Sequence, residues 1–291
     1  MGERRVKRVK ISVLVVAVFF SFLVIYFSFE LSPKKFLQIS FLDVGQGDSI
    51  LLQTPLGGKV LIDGGRDKKV LPELGKNLPS ISNSIELVIA THDDSDHITG
   101  LIDVLKRYKV KVLLYSLPNS SSELSRELLK VAREKNVRVV HVTKPMIIKS
   151  EDGVIIKILF PVKNMDQVSN SEVLGNDASI VTQIIFGENK ILLTGDLPQT
   201  GEKFLINKYG ENLKSNILKL GHHGSDSSTN PEFLQIVKPE VAIVSAGKDN
   251  TFGHPHRSVM QLMEKFGIKV LRTDELGTIH IYSNGLNFWQ E

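Results

Sequence analysis

The chain has 291 residues and is 42% apolar, which excludes a disordered polypeptide and leaves room for one large α/β domain or two small ones. Its formal charge is +4, yet residues 1–10 (MGERRVKRVK) carry five Lys/Arg and one Glu, so the chain from Ile11 onward is neutral and has no whole-surface grip on a polyanion. The absence of Cys excludes disulfides, thiolate metal ligands and thiol nucleophiles.

Residues Ile11–Ser28 (ISVLVVAVFFSFLVIYFS) contain no charge, about the minimum length for a helix that crosses a hydrocarbon core. A cleaved signal peptide is the competing reading, but SFLVIYFSFELSPKK holds no small-x-small cleavage site, which favours an uncleaved anchor over residues 11–30. Five cations precede the span. The positive-inside rule therefore places residues 1–10 in the cytoplasm and the mass of the chain, after a linker at residues 31–35, outside a single-pass cell membrane.

From Phe36 the pattern changes to short strands, FLQISFLDV, DSILLQT and GKVLIDGG, separated by Gly45-Gln46-Gly47 and Pro55-Leu56-Gly57-Gly58, which predicts an antiparallel meander. Gln46 and Asp48 sit on a loop that could reach a site, although a plain turn is the simpler reading. Glu86–Gly100 (ELVIATHDDSDHITG) follows. Leu87–Ala90 reads as an interior strand, and Ile98, Leu101, Ile102 and Leu105 take helical spacing, so His92, Asp93, Asp94, Asp96 and His97 fall on a strand-to-helix loop. Asp residues alone would suit a helix cap. Capping explains one or two carboxylates, not two imidazoles framing three; the cluster reads as a metal site at the carboxyl end of a strand.

The chain then alternates: helix Ile98–Tyr108, strand Val110–Leu117, Ser-capped helix Glu123–Glu134, strand Val137–Val142, and strands over Met146–Val162 around Glu151-Asp152-Gly153. Lys163–Gly175 is polar and patternless. Asn176–Asp196 is read as two strands joined at Gly187-Glu188-Asn189, the second closing in Thr194-Gly195-Asp196. Pro198–Lys208 reads as a helix and Ile217–Leu220 as a strand delivering Gly221-His222-His223-Gly224-Ser225. Asn230-Pro231 starts another helix, and strand Val241–Ser245 opens into GKDNTFGHPHRS. Two strands around Asp274–Gly277 close the chain, with His280 and His141 on sheet surfaces. His92, His97, His222, His223 and His254 thus lie on three separate strand-end loops. Imidazole plus carboxylate without sulfur suits Zn²⁺ or Mn²⁺.

His92-x-Asp94-x-Asp96-His97 resembles the HxHxDH signature of the metallo-β-lactamase superfamily in the HxDxDH form of its ComEC-like branch, found as the C-terminal domain of the bacterial DNA-uptake channel and as stand-alone proteins. FLDVGQGDS with LIDGG, TGD, GHHGS and the NxxGHP segment of Asn250, Gly253, His254 and Pro255 are similar to that branch in order, over roughly Phe36–Asn287. The resemblance implies an αββα sandwich over residues 36–288 that holds two divalent metal ions. It implies one ion held by His92 and Asp94 with Asn176 or Asp177, the other by Asp96, His97 and His222, and Asp196 bridging, while Asp63 holds the metal-loop backbone. His223 is either a supporting group or the true ligand.

The activity implied is hydrolysis of a phosphodiester, DNA or nucleotide, by a hydroxide shared between the metals outside the membrane. Asp96 would orient that hydroxide, and His254 or His223 would protonate the leaving oxygen. Asn176, Ser179, Thr194 and Ser225, with the amides of Gly224-Ser225, would hold the substrate's other oxygens. The alternatives are an ester, lactone or thioester hydrolase of the same fold, or an inactive membrane-tethered metal-binding domain. No feature points to a protein partner.

Overall fold

The structure, a computed structural model, describes residues 14–25, 36–80, 82–116, 122–161 and 175–291. Two units divide the chain, Met1–Lys34 and Lys35–Glu291. The first is a helix over residues 14–25, and the rest of the apolar stretch Ile11–Ser28 lies outside the described residues. Among the described residues no helix is long and apolar enough to cross a membrane.

The second unit is an α/β fold built on two sheets. In chain order the first sheet takes β1 (Leu37–Phe41), β2 (Ile50–Gln53), β3 (Lys59–Ile62), β4 (Ser84–Ala90), β5 (Lys109–Tyr115) and β6 (Arg138–His141). The second takes β7 (Met146–Lys149), β8 (Ile155–Phe160), β9 (Val181–Phe186), β10 (Asn189–Leu193), β11 (Ile217–Lys219), β12 (Val241–Val244) and β13 (Lys269–Arg272). The chain returns to the first sheet with β14 (Ile279–Ser283) and β15 (Phe288–Gln290), giving the orders β15-β14-β1-β2-β3-β4-β5-β6 and β13-β12-β11-β10-β9-β8-β7. Each sheet has an antiparallel part and a parallel part. The meander β1–β3 is antiparallel and β3–β6 parallel; β7–β10 is antiparallel and β10–β13 parallel.

The period-2 pattern explains the layers. Ile39, Ile50, Leu52, Ile62 and Ile89 of one sheet and Ile184, Ile191, Leu193, Ile217 and Ile243 of the other form one buried cluster between them. The residues between point outward: Leu51, Leu61 and Val88 pack with α1 (Val70–Asn77), α2 (Ser95–Arg107) and α3 (Glu123–Glu134). Leu192, Leu218 and Ala242 pack with α4 (Gln199–Tyr209), α5 (Pro231–Val237) and α6 (Arg257–Phe266). The result is a helix–sheet–sheet–helix sandwich.

Helix α1 is not anticipated by the sequence pattern, since VLPELGKN contains both Pro72 and Gly75; Pro72 falls in the first turn, where its missing N–H costs nothing. The segment expected as a turn at Asp274–Gly277 is a single helical turn, Thr273–Leu276. Most of the loop expected at Lys163–Gly175 lies outside the described residues.

Candidate metal centre

Parallel pairing fixes where the chemistry falls. Ile62 pairs with Ile89, and Leu193 with Lys219, so Asp63 and Thr91 leave the first sheet side by side, and Thr194 and Leu220 leave the second likewise. Asp63 accepts from the Thr91 amide (2.8 Å), the Thr91 hydroxyl (2.7 Å) and His97 Nδ1 (2.8 Å), and thereby holds both ends of the metal loop. Asp94 sits at the N-cap position of α2 with no side-chain cap bond, so capping does not consume its carboxylate. Its Oδ2 lies 3.7 Å from His92 Nε2, and that imidazole, ahead of the opposing effect of burial, holds the acid below its usual range.

Asp196 is the focus of the donor set. Its Oδ2 lies 3.3 Å from both His97 Nε2 and His223 Nε2, 4.0 Å from His92 Nε2 and 3.9 Å from His222 Nε2. Asp96 Oδ2 is 3.3 Å from His223 Nε2. Overlapping groups able to hold a cation result, among them His92–His97–Asp196 and Asp96–His97–His223. Burial favours protonation of Asp196 and Asp96, but His97 and His223 outweigh it and hold both carboxyls well below the usual range. Burial likewise opposes charge on His97 and His223, and the facing carboxylates, Asp196 foremost, outweigh it and raise both imidazoles well above theirs.

The Gly221–Gly224 turn decides between the two adjacent imidazoles. His222 and His223 both have positive φ (47° and 55°), a tight reversal that sends their rings to different places. The resemblance puts His222 in the ligand set and leaves His223 as the other candidate; in the structure His223 joins Asp96 and His97 in a group able to hold a cation. His223 is buried, its Nδ1 donates to the Ser245 carbonyl (3.0 Å), and its Nε2 faces Asp96 and Asp196. His222 remains at the rim, bound through Nδ1 to Ser227 Oγ (2.9 Å).

His254 is near but outside this set, its ring 6.1 Å from that of His223 and 5.4 Å from that of His222. Burial first, then the neighbouring imidazoles, push it down to about 4, so it is neutral at pH 7. The oxygens expected to hold substrate mostly serve the scaffold. The Ser179 hydroxyl accepts from the Asp196 amide (3.1 Å), Thr194 Oγ1 donates to the Lys219 carbonyl (3.0 Å), and Ser225 Oγ accepts from the Ser227 amide (3.2 Å) and hydroxyl (3.0 Å). Asn176 Oδ1 is buried without a hydrogen-bond partner, whereas Asp177 is exposed and turns to Thr200.

Two buried residues of the site escape the sequence reading. Asp48, read there as part of a turn, lies 3.3 Å through Oδ1 from His223 Nδ1 and 2.5 Å through Oδ2 from Lys219 Nζ. Lys219 is fully buried at the end of β11. The one signal in the sequence is its place: a lone charge in the apolar run of Ile217-Leu218-Lys219-Leu220 needs a buried partner.

The donors fit divalent cations. His92, His97 and His223 each commit Nδ1, to Thr91 Oγ1 (3.0 Å), Asp63 and the Ser245 carbonyl, while each Nε2, together with Asp196 Oδ1, is buried without a hydrogen-bond partner. Imidazoles fixed through one nitrogen and bare at the other are the arrangement in which metal-ligating histidines are held.

Residues 42–248 match the family described as the metallo-beta-lactamase superfamily. The chain is 36% identical over 259 residues to ComE operon protein 3 of Bacillus subtilis (strain 168), covering 83% of this chain and 32% of that protein. It is 33% identical over 257 residues to competence protein ComA of Neisseria gonorrhoeae, covering 86% and 33%. It therefore spans about a third of the length of these relatives. Among solved structures, the metallo-beta-lactamase fold protein YhfI from Bacillus subtilis superposes with a TM-score of 0.55 at 10% identity, covering 88% of this chain and all of that one, a likeness of fold. With its donor loops in order on this sandwich, the chain belongs to the metallo-beta-lactamase superfamily.

Proposed function

We propose that this protein is a membrane-anchored, metal-dependent phosphodiesterase that acts on DNA or a nucleotide outside the membrane. The observation that carries the catalytic reading is the position of Asp196, one carboxylate within 4.0 Å of four imidazoles drawn from two loops, with unpartnered Nε2 atoms on His92, His97 and His223. Two overlapping donor groups that share His97 suit a dinuclear site: His92 and Asp94 on one side, Asp96 and His223 on the other, Asp196 between. Bound divalent cations would supply an activated water and neutralise charge on a phosphate.

The chain's own residues supply the rest. Asp96, ionised and partly open to solvent, is placed to orient the attacking water. His222, held down chiefly by burial, and His254 line the mouth as neutral imidazoles. The branch that the chain resembles supports a phosphodiester substrate. The anchor rests on eighteen uncharged residues behind five cations.

The test is a side-by-side assay of the full chain in detergent micelles. Bis(p-nitrophenyl) phosphate and single-stranded DNA should be cleaved with Mn²⁺ or Zn²⁺, and Asp196→Ala should abolish this. Faster turnover of acyl esters, lactones or thioesters under the same metal loading selects the ester-hydrolase alternative, and metal binding without any turnover selects the inactive binding domain. Activity indifferent to chelator overturns the metal reading. The anchor is checked separately: the protein should stay with membranes after alkaline carbonate washing.

A further inference from the structure

Phe252 stands out because the site leaves it unused. It lies on the loop between β12 and α6, is 52% exposed, and stacks nearly parallel on His254, with ring centroids 5.8 Å apart and planes at 22°. His254 in turn lies 6.1 Å from His223. The Phe252 ring is thus within about 12 Å of a ligand imidazole, a span that one or two extended nucleotides cover.

The loop is tied down. Asn250 Nδ2 donates to the carbonyls of Gly247 (2.9 Å) and His254 (2.6 Å), and Asn250 Oδ1 accepts from the His254 amide (3.0 Å). The Gly247 amide donates to Gln46 Oε1 (3.1 Å) and the His256 amide to the Gly224 carbonyl (2.9 Å), so both ends are fastened to the walls of the site. An exposed aromatic ring on a fastened loop is a surface held ready for a flat partner.

The surroundings select among flat partners. The other exposed large apolar residues described in this unit, Leu56, Ile147, Leu276, Leu286 and Trp289, lie off the loops that carry the donor set, so Phe252 does not belong to an apolar groove that an acyl chain would need. Its neighbours are imidazoles: His254 beneath it, His256 with its ring 4.9 Å from that of His254 and beside the Asp226 carboxylate (3.2 Å), and His222 at the rim. A nucleobase matches such a place, with a π-face for Phe252 and polar edges for the imidazole nitrogens. The chain from Ile11 onward is neutral overall, and Lys248 and Asp249 on this same loop cancel.

We propose that Phe252 is a base-stacking platform beside the metal centre, so that the substrate is a single-stranded nucleotide chain recognised by a base as well as by its phosphate. The proposal deepens the phosphodiesterase reading and rests on it.

The test uses the full chain in detergent micelles in two cleavage-silent forms, Asp196→Asn and the chelated wild type, with short single-stranded oligonucleotides carrying 2-aminopurine and matched abasic strands. Binding should quench 2-aminopurine fluorescence. Phe252→Ala should remove the quench and weaken binding about tenfold, within the range that stacking on an aromatic face supplies, and Phe252→Trp should restore both. Abasic strands should bind weakly from the start, with no further loss in Phe252→Ala. If bis(p-nitrophenyl) phosphate is hydrolysed but Phe252→Ala binds base-bearing strands as tightly as the parent, or loses base-bearing and abasic strands equally, the platform is wrong and the function stands. Hydrolysis of no diester, together with binding of no oligonucleotide, overturns both.

Discussion

Lys219 Nζ lies 2.5 Å from Asp48 Oδ2, and both side chains are buried beside His223. The pair joins the loop after β1 to the end of β11, one partner from each sheet. Burial works against the charge on Asp48, but Lys219 and His223 more than offset it and keep the carboxyl below its usual range. Removing one partner strands the other charge in the interior. Lys219→Met should therefore cost about 3–5 kcal/mol in urea unfolding, whereas Lys219→Met combined with Asp48→Asn should recover a large part of that loss. A double variant no more stable than Lys219→Met alone would show that the two residues act independently.

Proton and cation compete for the same imidazoles. His97 and His223 are raised well above the ordinary histidine value, so without metal they carry protons through neutral pH, and cation binding must expel them. Calorimetry near pH 7 in buffers of different ionisation enthalpy should show proton release, and affinity should rise with pH until the raised values are passed. Stability follows the same sign. Groups raised in the folded state stabilise it fully below about pH 6.5, and this contribution is lost as pH climbs through the folded-state values. The chelated protein should accordingly melt lower as pH rises above neutrality, and added Mn²⁺ should reverse the fall.

His222 and His223 are separable by substitution. His223→Ala removes a buried ligand and should lower metal affinity at least 100-fold, with loss of bound metal after dialysis. His222→Ala touches the rim and should change affinity less than about tenfold. Equal losses would place both rings in the ligand set.

Gly47 and Gly100 allow the backbone beneath the metal loop to close. A Cβ on Gly47 would lie 2.1 Å from the Asp96 carbonyl, at φ +126°, and one on Gly100 would lie 1.9 Å from the Gly64 carbonyl. Gly47→Ala should destabilise the fold by about 1–3 kcal/mol and weaken metal binding with it, because Asp96 must shift. Alanine at Gly75, where nothing crowds the added carbon, serves as the control.

The sandwich and the order of its site loops were legible because each strand announces itself by alternation and each loop by a sudden run of polar residues at its carboxyl end. His92, Asp94, Asp96, His97 and Asp196 could be gathered as candidates for that reason. Direction was not legible. Ser179, Thr194 and Ser225 have the right chemistry and the right places in the chain to meet a substrate, yet each hydroxyl turns to backbone or to a neighbouring hydroxyl. The choice between His222 and His223 depends on two consecutive positive φ angles, which periodicity does not encode. Asp48 and Lys219 each read as incidental because their partner lies in the other half of the chain.

The His223 ring hangs from the Ser245 carbonyl, and the Gln46 loop is fastened to Gly247, so the donor set is complete only when strands from both halves of the chain have met. A ribosome delivers His92 long before Ser245. Until the last parallel strands join, the early histidines lack the partners that make them a trap for metal, and contacts this distant in sequence form late. A bound cation would thereby act as a seal set at the end of folding, and possession of metal would certify a finished domain.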